Sequence, residues 1–352
     1  MYERREVTLM AERPNPDAAS ASVEARPEAS DAGETAAPPS TKSSGRSVAR
    51  GLLKTIRPHQ WVKNLFVMAP MFFHKDVFLT TPAGPALNLA VTGRALLGTA
   101  VFSLLAGAVS TINDLVDVKA DRIHPVKRHR PIASGAVPES LAKMMAVGLV
   151  LFSLAVGYLL DPRFALVALV YFAQNVAYSF KLQKVAFLDV AIIAFGFVLR
   201  VLAGGYATST HVSEYLIACT ALLALFLGFG KRRHELEGEH AGKQRAALEV
   251  YTKRGLNIAL VVAGTATMAT YIAYTLDPVT CEFFQTHWLW LTTPFAGFGI
   301  ARFLMIVSGR AGRGHKSESP TQEMLRDVPF VLNLVLYAIV VVAIVYRLRP
   351  SA

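Results

Sequence analysis

Apolar stretches long enough to cross a bilayer recur along most of the chain, and they leave it few other folds. A helix needs roughly 20 apolar residues to span the hydrocarbon core, where no water satisfies free backbone groups. Nine such stretches are read at 58–75, 93–113, 139–160, 163–181, 185–207, 213–231, 256–276, 287–308 and 328–347. The first is the weakest, because Lys63, His74 and Lys75 interrupt it and Pro70 breaks its middle. Hydrophobic residues make up 53% of the chain and charged residues 17%, whereas soluble domains carry about 25% charged residues. The expected class is all-α integral membrane, with nine transmembrane helices.

The net charge of +11 is unevenly placed. Lys and Arg gather in connections 114–136, 182–184 with Lys181 at its edge, 231–255 and 309–326. The alternate connections, 76–92, 161–163, 208–212 and 277–286, carry no Lys or Arg beyond Arg163. The positive-inside rule puts the basic connections and the N-terminus in the cytoplasm, so the active face of an inner-membrane protein is expected there. Arg347 and Arg349 run against that rule. Topology accounts for most of the basic surplus, and a nucleic-acid partner is not required. Residues 1–48, rich in Ala, Pro, Ser and Glu, lack the large apolar side chains that would offset ordering entropy. They are expected to form a disordered cytoplasmic tail ahead of one polytopic domain, 49–352. Cys219 and Cys281 fall in a span and in an outer connection, so neither a disulfide nor a thiolate metal site is expected.

One membrane stretch ends in Asn113-Asp114-Leu115-Val116-Asp117-Val118-Lys119-Ala120-Asp121-Arg122. Asp114, Asp117 and Asp121 follow i, i+3, i+7, and Asn113, Asp117 and Asp121 follow i, i+4, i+8; either set falls on one helical face. Carboxylates so close repel unless a cation joins them, and hard oxygen donors favour Mg²⁺, which commonly also holds substrate phosphates. A solvated helix end is the plainer alternative, but acidic residues at a helix C-terminus oppose its dipole. His124-Pro125 and Arg130-Pro131 break the chain just beyond. Arg122, Lys127 and Arg130 either set topology or neutralise a phosphorylated ligand. Lys63 and Asn64 lie deeper, where an ammonium either snorkels to the headgroups or meets a phosphate. Tyr178 and Lys181 share a helical face as an interfacial pair or as site residues. Asp189 and Arg200, inside the fifth stretch and eleven residues apart, are intramembrane ionisable groups and so candidates by default. Gly204-Gly205 nearby permits close packing or a break. The connection 231–255 opens with Lys231, Arg232, Arg233, His234 and Glu235. The histidines, His124, His129, His234 and His240, show no zinc spacing.

The run from Asn113 through Asp117 and Asp121 to Arg130-Pro131-Ile132-Ala133-Ser134-Gly135 resembles the first aspartate motif of the UbiA superfamily of intramembrane prenyltransferases. The resemblance covers about 50–348 and implies helices around a central cavity, with Asp-rich loops that bind a Mg²⁺-diphosphate. The second loop departs from the usual Asp-x-x-x-Asp, offering Glu235 and Glu239 among Lys231, Arg232 and Arg233. With Gln60-Trp61-Val62-Lys63-Asn64, Tyr178-Ser179-Phe180-Lys181 and Gly196-Phe197-Val198-Leu199-Arg200, it resembles the decaprenyl-phosphate phosphoribosyltransferase branch. The resemblance implies phosphoribosyl pyrophosphate as donor, polyprenyl phosphate as acceptor and a product used for cell-wall arabinan. On that reading Asp114, Asp117 and Asp121, with Asn113, take Mg²⁺, helped by Lys127 and Arg130. Lys231, Arg232 and Arg233 take the 5-phosphate, and Lys63 and Lys181 the lipid phosphate. Two alternatives stay open: a prenyltransferase acting on an aromatic or quinone precursor, and a transporter or lipid-binding protein without chemistry.

Overall fold

The computed structural model describes residues 45–73, 77–81, 84–180, 182, 185–237, 250–309 and 320–347. Lys181, Glu239, His240 and residues 1–44 of the expected tail lie outside the described residues. Helix α1, Gly45–Thr55, already covers residues 45–48 of that tail.

The first expected span is not one straight helix. Arg57 adopts the left-handed conformation (φ 51°) directly before Pro58, where an αR residue would clash with the proline ring. A 3-10 segment follows, Pro58–Met68, and then the short α2, Ala69–Phe73. A small antiparallel hairpin comes next, β1 Phe78–Thr81 with β2 Gly84–Leu87, paired Phe78 to Leu87. It is the one departure from an all-helical chain among the described residues.

Long helices then follow. Asn88 caps α3, Leu89–Val116, by accepting the Val91 N–H. The short α4 covers Val118–Ile123. Next come α5 (Glu139–Leu160), α6 (Pro162–Phe180), α7 (Leu188–Thr208) and α8 (Glu214–Glu237). The chain ends through α9 (Lys253–Leu276), α10 (Pro278–Phe284), α11 (Thr293–Val307), α12 (Pro320–Arg326) and α13 (Val328–Arg347). Among the described residues, seven elements are long and apolar enough to cross a membrane: α3, α5, α7, α8, α9, α11 with its lead-in turn, and α13. Of the other two expected spans, one is the broken 58–73 segment. The other is α6, whose Arg163, Gln174 and Asn175 dilute its apolar face. Gln174 Nε2 donates to Ile192 O across to α7, and Asn175 Nδ2 donates to Tyr171 O within its own helix.

Two cores hold the bundle. Phe102, Leu105, Phe164, Tyr171 and Leu199 tie α3, α6 and α7 together. Phe226, Leu260, Ala263 and Phe303 tie α8, α9 and α11. A Cβ on Gly204 would lie 1.8 Å from the Val67 carbonyl oxygen, so this glycine lets α7 touch the 3-10 backbone directly. Cys219 and Cys281 are both free thiols.

Candidate active site

The end of α3 is a joint. Asp117 has φ −87° and ψ 0°, closes α3 and opens α4. Backbone bonds from Asp117 N to Asn113 O and from Asp121 N to Asp117 O carry the helical path through it. Asp114 and Asp121, 3% and 2% exposed, turn inward together. Arg130 Nη1 donates to both, to Asp114 Oδ1 at 3.1 Å and to Asp121 Oδ2 at 2.7 Å. Arg57 Nη2 donates to Asp114 Oδ1 at 2.5 Å. Asp117 stays exposed at the joint. Asn113 faces α6 instead, its Oδ1 accepting from Ser179 Oγ at 2.5 Å. Ile132 and Val137 pack on Val118 and Ala142, which anchors the loop that delivers Arg130.

Two carboxylates and two guanidiniums thus balance one another. Among the described residues, no three His, Cys, Asp or Glu side chains gather as a metal shell. The donor chemistry still fits Mg²⁺: hard, anionic oxygens, few in number, as suits an ion that keeps water and substrate phosphate among its ligands. Arg130 Nη1 bridges the carboxylates as such a cation would. Arg122 instead makes an exposed pair with Glu139, of small energetic weight. Lys127 lies exposed in a 3-10 turn, Lys127–His129.

A second charged cluster joins the start of α7, the end of α8 and the approach to α9. Arg232 and Asp189 are 1% and 0% exposed, with Nε and Oδ2 3.0 Å apart. Arg232 Nη1 also bonds Glu235. Tyr251 Oη donates to Asp189 Oδ1 at 2.8 Å and accepts from the Phe187 N–H at 2.6 Å. Burial first, and the Asp189 carboxylate after it, push the Tyr251 phenol above its ordinary range, so it stays a donor. Arg233 Nε donates to Asn257 Oδ1 on α9 at 2.9 Å. Of the expected substrate-binding residues, Asp189 and Arg232 thus lie paired in the interior, and Arg233, also buried, reaches α9 through Nε. Lys231, with 42% of its side chain exposed, lies 3.9 Å from Glu235. Tyr178 is half-buried near the end of α6.

Arg200 forms the third cluster. Its Nε donates to Asn64 Oδ1, Nη1 to Gly196 O and Nη2 to Tyr171 Oη, at 2.8, 2.8 and 2.9 Å. Asn64 Nδ2 in turn donates to Ser103 Oγ. Arg200 and Asn64 thus hold each other, whereas neighbouring Lys63 is exposed. The spacing that puts Asp189 and Arg200 on nearly one face leaves them in separate clusters.

The UbiA prenyltransferase family model matches residues 67–326. The chain belongs to the UbiA prenyltransferase family. It is 35% identical over 303 residues to decaprenyl-phosphate phosphoribosyltransferase of Mycolicibacterium smegmatis, covering 83% of this chain and 89% of the relative. It is 38% identical over 228 residues to the Mycobacterium tuberculosis protein of that name, covering 64% and 74%. A UbiA homolog from Archaeoglobus fulgidus, solved bound to DMAPP and Mg²⁺, aligns at TM-score 0.61 and 19% identity over 84% of this chain and 99% of its own; that likeness is one of fold. This UbiA family member is a multi-pass membrane protein.

Beside the charged end, the UbiA bundle encloses an apolar cavity of about 320 Å³. Phe66, Phe226, Met268, Phe303, Phe330 and Tyr337 are among its walls. Sequence reasoning missed Arg57 and Tyr251. Arg57 had a signal in the Arg-Pro break it opens. Tyr251 had none, because its partners lie 62 and 64 residues away.

Proposed function

We propose that the protein transfers the 5-phosphoribosyl group of phosphoribosyl pyrophosphate to polyprenyl phosphate, decaprenyl phosphate by analogy, releasing diphosphate. The observation that carries this reading is the likeness to phosphoribosyltransferases across most of the chain. The geometry supports it with two mixed charge clusters, carboxylates with Arg57 and Arg130 at one and the partly exposed Lys231 at the other, suited to the two anionic ends of the donor.

Asp114, Asp117 and Asp121, with Asn113, would hold Mg²⁺, which when bound offsets charge building on the leaving diphosphate. Arg57 and Arg130, already among these carboxylates, supply further positive charge to the same group. Lys231 serves the 5-phosphate and Lys63 the lipid phosphate. A phosphate oxygen of the lipid attacks the anomeric carbon as its bond to diphosphate breaks. That oxygen is already anionic at neutral pH, so no general base is required. Positioning and electrostatics carry the catalysis. The apolar cavity suits the first isoprene units of the acceptor. We place the charged end on the cytoplasmic side of the inner membrane and the product in cell-wall arabinan synthesis.

The test offers detergent-purified protein labelled phosphoribosyl pyrophosphate with decaprenyl phosphate and, separately, a prenyl diphosphate with hydroxybenzoate. EDTA-sensitive label transfer in the first mixture alone is expected. Transfer only in the second would make the protein a prenyltransferase, and none in either would remove the enzymatic reading.

A further inference from the structure

Helix α1, ahead of the first membrane segment, divides into three sectors. Gly51 and Thr55 are buried, and Leu52 packs on Val118, Ile132, Val137 and Ala142. A Cβ on Gly51 would lie 2.6 Å from Val137 Cγ2, so the backbone of α1 rests directly on the loop that delivers Arg130. Ala49 and Leu53, spaced i, i+4, form a second sector that is apolar yet exposed. Arg50 and Lys54, at the same spacing, form a third that is basic and exposed. Among the described residues neither cation has a carboxylate partner.

Two neighbours set the height of α1 against the bilayer. On α5, Met144, Val147 and Leu151 make an exposed apolar stripe at i, i+3, i+7, the side that a spanning helix turns to lipid, and exposed Lys143 stands at its head. Ala142, one residue earlier, belongs to the cluster that takes Leu52. The middle of α1 therefore lies where α5 enters the lipid. Past the helix, Ile56 packs on α3 at Gly107, whose added Cβ would lie 2.9 Å from Ile56 Cβ, so α1 slopes inward. Lys54 sits one turn further in than Arg50, beside an apolar sector that water does not favour. We propose that α1 is an interfacial helix that docks on anionic phospholipid. Ala49 and Leu53 meet the acyl chains, and Arg50 and Lys54 reach the headgroup phosphates, Lys54 by extending its stem towards them. A soluble acidic partner would match the two cations but not the apolar sector beside them. The docking surface adjoins the acidic cluster, since Arg57, just past α1, donates to Asp114 Oδ1. It does not depend on which reaction the protein catalyses.

Hydrogen exchange on the full chain in nanodiscs tests it, with discs of phosphatidylcholine alone or of phosphatidylcholine and phosphatidylglycerol in equal parts. Amides of residues 49–56 should exchange about tenfold or more slowly beside the anionic lipid, because each cation near such a surface contributes about fivefold. High salt should erase that difference. The double variant Arg50→Gln, Lys54→Gln alters only exposed side chains, so the fold should be kept. It should exchange alike in both discs, at the wild-type rate in phosphatidylcholine. Wild-type protein that exchanges alike in both discs would overturn the proposal. So would a difference between discs that survives high salt or persists in the double variant.

Discussion

Asp114, Asp117 and Asp121 lie close in sequence but in two different settings. Asp114 and Asp121 are buried and held by arginines, so they serve the fold as well as any ligand. Asp117 stands exposed at the joint. The two roles separate by substitution. Asp117→Asn should cut turnover by about 100-fold or more, the scale of lost metal support, with an unchanged melting temperature. Asp121→Asn should also lower the melting temperature, because Arg130 loses one of its two carboxylate partners, a charged hydrogen bond of about 1.5–3 kcal/mol. Activity and thermal unfolding measured on the same preparations decide it; a destabilised Asp117→Asn would show that this carboxylate already has a structural partner. The spacing of these residues was legible in the sequence; their ion pairs with Arg130 were not, since that arginine read as a topology signal or a phosphate partner. Nor was their division, because spacing alone does not say which side of a helix meets arginines from other elements and which meets solvent. Arg200 shows the same limit. Its burial was expected, but its three neutral acceptors come from residues 4, 29 and 136 positions away.

Among the elements, the 58–73 segment departs furthest from its sequence reading, and its form follows from what it touches. Pro58 and Pro70 deny it a continuous α-helical ladder. Asn64 and Val67 nonetheless pack into the bundle with 1% and 0% exposure. The 3-10 backbone can approach α7 because Gly204 presents no side chain to Val67 O. Gly204→Ala should therefore destabilise the protein by about 1–3 kcal/mol, the usual cost of overpacking. It should also raise the Michaelis constant for the lipid acceptor, since Lys63 lies on the displaced segment. Thermal unfolding and acceptor titration check both effects; a stable variant with normal acceptor kinetics would place the segment's anchor elsewhere. The Gly204-Gly205 pair signalled close packing in the sequence, but its partner was not readable, because a backbone carbonyl 137 residues earlier leaves no pattern in side-chain order.

Across the whole molecule, charge and apolar space are divided. Two of the ion clusters gather where α3, α6 and α8 end and α7 and α9 begin, while Arg200 sits within α7 and Arg302 of α11 pairs with Asp327. The cavity of about 320 Å³ lies against α8, α9, α11 and α13. An acceptor with a phosphate head and a long isoprenoid tail matches that division: the head needs the cations, and the tail gains by leaving water at about 25 cal/mol per Å² of apolar surface. The two halves should then fail independently. Ala296, on α11, lines the cavity. Ala296→Trp would fill much of that space and should raise the Michaelis constant for decaprenyl phosphate about tenfold or more, since lost burial of two CH₂ groups already costs about 1.6 kcal/mol. Ribose 5-phosphate and Mg²⁺-pyrophosphate affinities should remain at wild-type values, because no cation has moved. A variant that lost donor binding as well would mean that the cavity supports the charged end directly; one with unaltered acceptor kinetics would mean that the tail runs along the outside of the bundle, in lipid.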